Sequence, residues 1–225
     1  MTEISLDNLS VTIGMPTSRD LNPLVVKSLL ASQQRCFQMG IPFNLALMHG
    51  NAIIQWARDG VIDLFLESGG NRLFWIDSDI IWTPDDFITM LALSQVKDVV
   101  CASYPAKKEP ATFYVNWDQE KELVQDEYGL VEIIGAGLGF TVMSRDVVNK
   151  LVDNAPKIRD EITGRDIAEI FKVGTVDGKR LGEDMYFFRL LKELGYTVNL
   201  YPHINLGHTG TKTYTGVLLD ALEVK

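Results

Sequence analysis

A chain of 225 residues is long enough for one well-buried α/β domain and short for two, and 46% hydrophobic with 23% charged residues is ordinary for a soluble globule. With 30 acidic against 21 basic residues the net charge is −9, which disfavours an electrostatic grip on nucleic acid or an anionic membrane. A basic ligand, or an anion neutralised by metal, fits that charge better. Cys36 and Cys101 lie in no metal-ligand spacing and read as two buried thiols of a reducing compartment. Residues 1–10 carry acids and no apolar core, and no run approaches the ~18 apolar residues of a membrane span. The expectation is a cytoplasmic protein with no integral membrane segment and no nucleic-acid partner.

In chain order, Val11-Thr12-Ile13-Gly14-Met15 reads as a short apolar strand that ends in the polar turn Pro16-Thr17-Ser18-Arg19-Asp20. Asn22-Pro23 starts a helix, with Asn as cap and Pro at the first position, and Val26, Leu29, Leu30 and Phe37 carry the helical period to Gly40. A second strand covers 43–48, and the helix after His49-Gly50-Asn51 runs to about Glu67 before Ser68-Gly69-Gly70-Asn71 breaks it. In that helix Ile54, Ala57, Val61 and Phe65 form an apolar stripe, and Arg58 falls on the same face. An arginine there either lies along apolar surface with its head in water or contacts an anion near the strand ends.

Leu73-Phe74-Trp75-Ile76 is a buried strand, and Asp77-Ser78-Asp79 follows where it surfaces. Carboxylates one residue apart outside the end of a parallel strand suit a hard cation bridging phosphate oxygens, although Asp and Ser also suit a plain turn. Thr83-Pro84-Asp85-Asp86 opens the next helix and 96–102 is a fourth strand. The β-α-β-α-β-α-β pattern predicts a doubly wound, Rossmann-like α/β domain whose central sheet is mostly parallel.

Past residue 102 the order changes. Tyr104-Pro105-Ala106-Lys107-Lys108 is a loop, 112–117 alternates like an edge strand, and 118–128 is a charged excursion. Strands at 130–134 and 139–144 flank Gly135-Ala136-Gly137-Leu138, whose glycines permit close backbone approach. A small antiparallel addition to the sheet is expected here. After a helix over 145–152, residues 154–180 are polar without a long periodic element, and a mobile insert is expected. Gly182-Glu183-Asp184 opens an amphipathic helix carrying Phe187, Leu190, Leu191 and Leu194; acids in its first turn suit the helix dipole whatever else they do. A last strand at 198–201 precedes a Gly- and Thr-rich tail over 207–225. The expectation is a single domain over 1–225 with its core at about 11–216.

Pro16-Thr17, Ala57-Arg58-Asp59, Asp77-Ser78-Asp79, Gly182-Glu183-Asp184 and Leu206-Gly207-His208-Thr209-Gly210 with Tyr214 and Gly216 occur in that order. The set resembles the metal-dependent nucleotide-sugar glycosyltransferases of the GT-A fold, particularly the family 2-like enzymes of bacteria and large DNA viruses. The resemblance runs from about residue 11 to 216. It implies a nucleotide-sugar donor, a UDP-sugar first, held by Pro16, Thr17, Arg19, Arg58, Asp77, Ser78 and Asp79, and a glycan or other hydroxyl acceptor. It also implies Mn2+ or Mg2+ on Asp79 and His208, with Asp77 reaching the metal through water. In the resembling inverting enzymes the Asp of the Glu-Asp pair is the base, here Asp184, with Glu183 as an orienter. Asp59 stands where Asn is commoner, so only Arg58 is carried over. Two other readings stay open: a haloacid-dehalogenase-like phosphohydrolase using Asp77 and Asp79, and a nucleotide-sugar-binding protein without catalysis.

Overall fold

The computed structural model describes residues 4–18, 20–161 and 164–222. Its first half alternates strand and helix: β1 (Val11–Thr17), α1 (Pro23–Gln38), β2 (Phe43–His49), α2 (Ile54–Ser68), β3 (Arg72–Ile76), the short β4 (Ile80–Ile81), α3 (Pro84–Leu93) and β5 (Val99–Cys101). Then come β6 (Val115–Asn116), β7 (Val131–Ile133), β8 (Gly135–Ala136), β9 (Phe140–Ser144), α4 (Arg145–Asn154), β10 (Lys157–Asp160) and β11 (Arg165–Ala168). The chain continues through β12 (Gly174–Val176), β13 (Lys179–Leu181), α5 (Glu183–Glu193), β14 (Val198–Leu200), β15 (Asn205–Thr209) and β16 (Thr213–Val217). Local chemistry sets the helix starts. The Asn22 side chain accepts from the Leu24 amide ahead of Pro23, and Thr83 and Asp86 form a reciprocal capping box at α3.

Seven strands form the central sheet in the order β2-β1-β3-β9-β5-β14-β7. Five run the same way, while β9 and β7 oppose their neighbours. The sheet is therefore Rossmann-like and mostly parallel, with one antiparallel strand, β9, set inside it and another, β7, at its rim. Alternation sorts its side chains onto two faces: Val11, Ile13, Met15, Phe74 and Ile76 join α1 and α3, whereas Leu73 and Trp75 join α2, α4 and α5. Both thiols, Cys36 and Cys101, are buried.

Helix α1 buries a different stripe from the one its apolar letters suggest. Val25, Ser28, Leu29, Ser32 and Cys36 face the core, whereas Val26, Leu30 (60% exposed) and Phe37 (85% exposed) face out. The buried serines have a polar partner in Trp82: Ser28 Oγ donates to its carbonyl at 2.8 Å, and its indole Nε1 donates to Ser32 Oγ at 2.8 Å. Small hydroxyl residues let the helix approach that ring and give its indole N–H an acceptor.

One further expectation changes. Among the described residues of 154–180 there is regular structure; β10–β11 and β12–β13 form two antiparallel hairpins. The Gly- and Thr-rich tail carries two strands: β15 pairs with β16 and with β4, the two residues just past Asp79.

Candidate functional site at the strand ends

Strand β1 has β2 on one side and β3 on the other, so the chain reverses its direction of travel across the sheet between β1 and β3. Such a switch point opens a crevice outside the carboxyl ends of the strands. Pro16, Thr17 and Ser18 close one wall of it, and Asp77, Ser78 and Asp79, following β3, the other. The opposed direction of β9 brings Gly137 and Gly139 to this edge, because Phe140 pairs with Ile76. The loop after β5 and the first turn of α5 arrive there too. Arg19 lies outside the described residues.

At the centre is Arg58, only 2% exposed. Its head does not reach water. Nη2 is 3.2 Å from Asp77 Oδ1 and 3.3 Å from Asp184 Oδ1, one cation bridging two carboxylates from different elements. Its Nε and Nη1 have no hydrogen-bond partner, and Cζ lies 5.6 Å from the Trp75 ring and 5.8 Å from the Phe171 ring. The guanidinium is thus held by aromatic faces and aimed by charge. Burial pushes the Asp184 carboxyl up to about 6, helped by Asp77 and Glu183 and opposed by Arg58. Burial likewise holds the Tyr104 phenol well above its usual range, so its hydroxyl remains a donor, 3.3 Å from Asp77 Oδ2.

A second cluster forms on Asp79. Thr209 donates twice to the Asp79 carbonyl, from its amide at 2.8 Å and its hydroxyl at 3.0 Å, which seats β15 against the turn. His208 Nε2 then comes 3.4 Å from Asp79 Oδ2, while its Nδ1 donates to the Pro105 carbonyl at 2.9 Å. In the neutral ring Nε2 therefore keeps its lone pair towards the carboxylate, the orientation a metal-ligating histidine takes from a carbonyl behind it. Lys107 Nζ lies 2.5 Å from the same Oδ2. Burial raises the Asp79 carboxyl, but His208 with a proton on Nε2, together with Lys107, outweighs it and holds the group below the ordinary range.

Among the described residues no three His, Cys, Asp or Glu side chains gather closely enough to hold a metal by themselves. Asp79 Oδ2 and His208 Nε2 could supply two ligands to a divalent cation once Lys107 Nζ leaves that oxygen, with substrate oxygens and water supplying the rest. Mixed carboxylate and imidazole donors suit Mn2+, and Mg2+ after it.

Two cavities meet at the start of α5. The crevice between β1 and Asp77–Asp79 holds about 240 Å³, and a larger one of about 630 Å³ lies under Tyr104, Lys107, Tyr114 and Asn116. Glu183 and Asp184 line both. Between them the chain keeps glycines where a side chain would collide. A Cβ at Gly139 would stand 2.3 Å from Asp77 Oδ2, and one at Gly137 would stand 2.4 Å from the Tyr104 hydroxyl. Gly139→Ala is therefore expected to displace Asp77 and weaken ligand binding in the smaller crevice by at least about tenfold, roughly 1.4 kcal/mol. Calorimetry on the folded variant checks this, and unchanged affinity would contradict it.

Of the residues singled out in the sequence, Pro16, Thr17, Arg58, Asp77, Ser78, Asp79, Glu183 and Asp184 all line the smaller crevice. His208 joins them through Asp79. Sequence reasoning missed Lys107 and Tyr104 as partners of the two aspartates; the only signal was their loop's position after a strand at the same edge. It also missed Asp59, whose Oδ1 accepts from the Ile170 and Phe171 amides at 2.9 and 3.1 Å and so presents the Phe171 ring to Arg58.

Fold and site together define an α/β protein with an acidic crevice at the switch point of its sheet. No protein-family profile and no curated protein sequence matches the chain. Among solved structures, A197 from STIV superimposes with a TM-score of 0.59 at 21% identity, covering 93% of this chain and 90% of that one. A glycosyltransferase involved in the glycosylation of the major capsid of PBCV-1 gives 0.34 at 12% identity over 62% of each chain. The first likeness is one of fold, and the second is too low to carry an argument. Among the described residues no helix is long and apolar enough to cross a membrane.

Proposed function

We propose that the chain is a glycosyltransferase of GT-A type that moves a sugar from a nucleotide-sugar donor, a UDP-sugar first, to a hydroxyl of a glycan or other acceptor with inversion. The observation that carries this reading is the position of Asp184. It is a carboxyl raised to about 6, within hydrogen-bond reach of Arg58, on the boundary between a small polar crevice and a larger cavity. A direct displacement needs a base at the junction of donor and acceptor compartments, with its pKa close to working pH.

In this reading Pro16, Thr17, Arg19, Arg58, Ser78 and Asp77 hold the nucleotide side, and the acceptor enters the larger cavity beside Tyr104 and Tyr114. Asp184 takes the proton of the acceptor hydroxyl as its oxygen bonds to the anomeric carbon; the bond from that carbon to the diphosphate oxygen breaks, and the diphosphate keeps the electron pair. Arg58 holds Asp184 ionised and aimed, and Glu183 orients the helix start. Lys107 lies within reach of the charge left on the diphosphate. Asp79 and His208 would hold Mn2+ or Mg2+, with Asp77 reaching it through water; when bound, the cation would supply Lewis-acid stabilisation of that same charge. Both Asp77 oxygens accept hydrogen bonds, from Arg58 and Tyr104, which weighs against Asp77 as the nucleophile of a phosphohydrolase.

The test is calorimetric titration of UDP-sugars with and without Mn2+ into wild type, Asp79→Asn and His208→Ala. Metal-dependent binding in wild type and its loss in both variants is the expected result. Wild-type affinity in both variants would sink the metal assignment, and phosphate release from monoesters without sugar transfer would sink the transferase reading.

A further inference from the structure

A cavity of about 440 Å³ lies between α2 and the β10–β11 hairpin, and it borders the small crevice only at Asn51. Its apolar surface comes from Met48, Trp56 and Leu64 on the core side and from Ile158 and Ile167 on the hairpin side. Trp56 is 54% exposed, a large aromatic ring left in solvent at the rim of a concave surface. Five carboxylates line the cavity against two guanidiniums. Both cations are already committed: Arg165 pairs with Asp63 and Glu67 and clamps the hairpin onto α2, and Arg159 pairs with Asp166 within the hairpin.

The feature that calls for a ligand is Asp59. This wall residue is 2% exposed; its Oδ1 takes both backbone amides from Ile170 and Phe171, and its Oδ2 has no hydrogen-bond partner. A buried carboxylate oxygen without a donor costs on the order of 1–3 kcal/mol or more, and apolar walls supply no donor. Burial, partly offset by the two amides, accordingly pushes the carboxyl up to about 7. Neither guanidinium donates to Asp59 Oδ2, so that oxygen lacks an N–H donor, and the walls offer room for an apolar body beside it.

We propose that this cavity binds a small organic cation, a protonated amine or amidine on an aromatic or aliphatic body, with its N–H groups on Asp59 Oδ2 and its body against Trp56, Ile158 and Ile167. The site is independent of sugar transfer in its chemistry but not isolated from it. Asp59 follows Arg58 directly, and the Phe171 amide that it holds belongs to the ring lying 5.8 Å from the Arg58 guanidinium. An occupant stiffens the contact that aims Arg58.

The experiment uses the full chain at about pH 8 and three probes of one shape: phenethylamine, 2-phenylethanol and phenylacetate, titrated by calorimetry and followed through the Trp56 indole N–H resonance. Phenethylamine should bind with one-to-one stoichiometry and shift that resonance; 2-phenylethanol should bind at least about tenfold more weakly, and phenylacetate weaker still. Asp59→Asn retains an oxygen for the two amides and should lose about tenfold or more in phenethylamine affinity. Trp56→Ala alters a half-exposed ring, so folding is not at stake, and should weaken binding several-fold. Absence of phenethylamine binding at millimolar concentration overturns the proposal, as does equal affinity for the amine and the alcohol, or wild-type affinity in Asp59→Asn. These outcomes do not depend on whether the chain transfers sugar.

Discussion

Asp184→Asn is expected to lower kcat by on the order of 10²- to 10⁴-fold while leaving the donor KM within about twofold. The amide keeps the size of the carboxyl and its acceptor oxygen towards Arg58, whose Nη2 is 3.3 Å away, so the crevice retains its shape. What disappears is the proton acceptor. The pH dependence separates this from a loss of packing. Because burial raises the wild-type carboxyl to about 6, kcat/KM should climb as pH rises to about 6 and level off above it. The residual rate of the Asn variant should lack that limb. Steady-state kinetics between about pH 5 and about pH 9 check both, and a variant turning over at the wild-type rate with chemistry limiting would remove Asp184 from the mechanism.

Arg58→Met should have the largest effect on stability. Methionine replaces the stem between Trp75 and Phe171, yet Asp77 and Asp184 then face each other with no cation between them. Removing one partner of a buried ionic cluster typically costs about 3–5 kcal/mol, read as a fall in the urea midpoint. The cost should grow with pH. Without Arg58 the Asp184 pKa rises further above its unfolded value, so between those two values the folded state binds more protons and stability falls as pH increases. The penalty should therefore be smaller at about pH 5 than at about pH 8. Adding Asp184→Asn to Arg58→Met should restore part of the loss, a coupling that a double-mutant cycle measures. A loss under about 1 kcal/mol at both pH values would contradict the triad.

Much of the architecture was legible because its signals are local. Asn22-Pro23 and Thr83-Pro84-Asp85-Asp86 carry cap chemistry in their side chains, and 73–76 is apolar on both faces because helices cover both. Several site residues were legible for a topological reason: an alternating β-α chain brings the ends of β1 and β3 to one edge whatever their sequences. The misreadings concern partners distant in the chain. The stripe Val25-Ser28-Leu29-Ser32-Cys36 is the buried one because Trp82, fifty residues on, pairs with both serines; counting apolar letters selects Leu30 and Phe37 instead. The hairpins of 157–181 read as loop because strands such as Lys157–Asp160 are polar and largely exposed. Arg58 was placed on the buried face, but its carboxylate partners lie 19 and 126 residues away, a distance no periodicity reports.

The position of β14 has a consequence for how the molecule comes into being. This three-residue strand is the last of the central sheet to be synthesised, yet it lies inside the sheet, with β5 about a hundred residues earlier on one side and β7 on the other. Until it arrives, β5 and β7 each keep an open edge of unpaired backbone. Closing such loops costs entropy before any contact repays it, which slows acquisition of the native state. A nascent chain halted before residue 198 exposes two sticky strand edges, which makes chaperone dependence and premature aggregation the natural hazards of its biosynthesis.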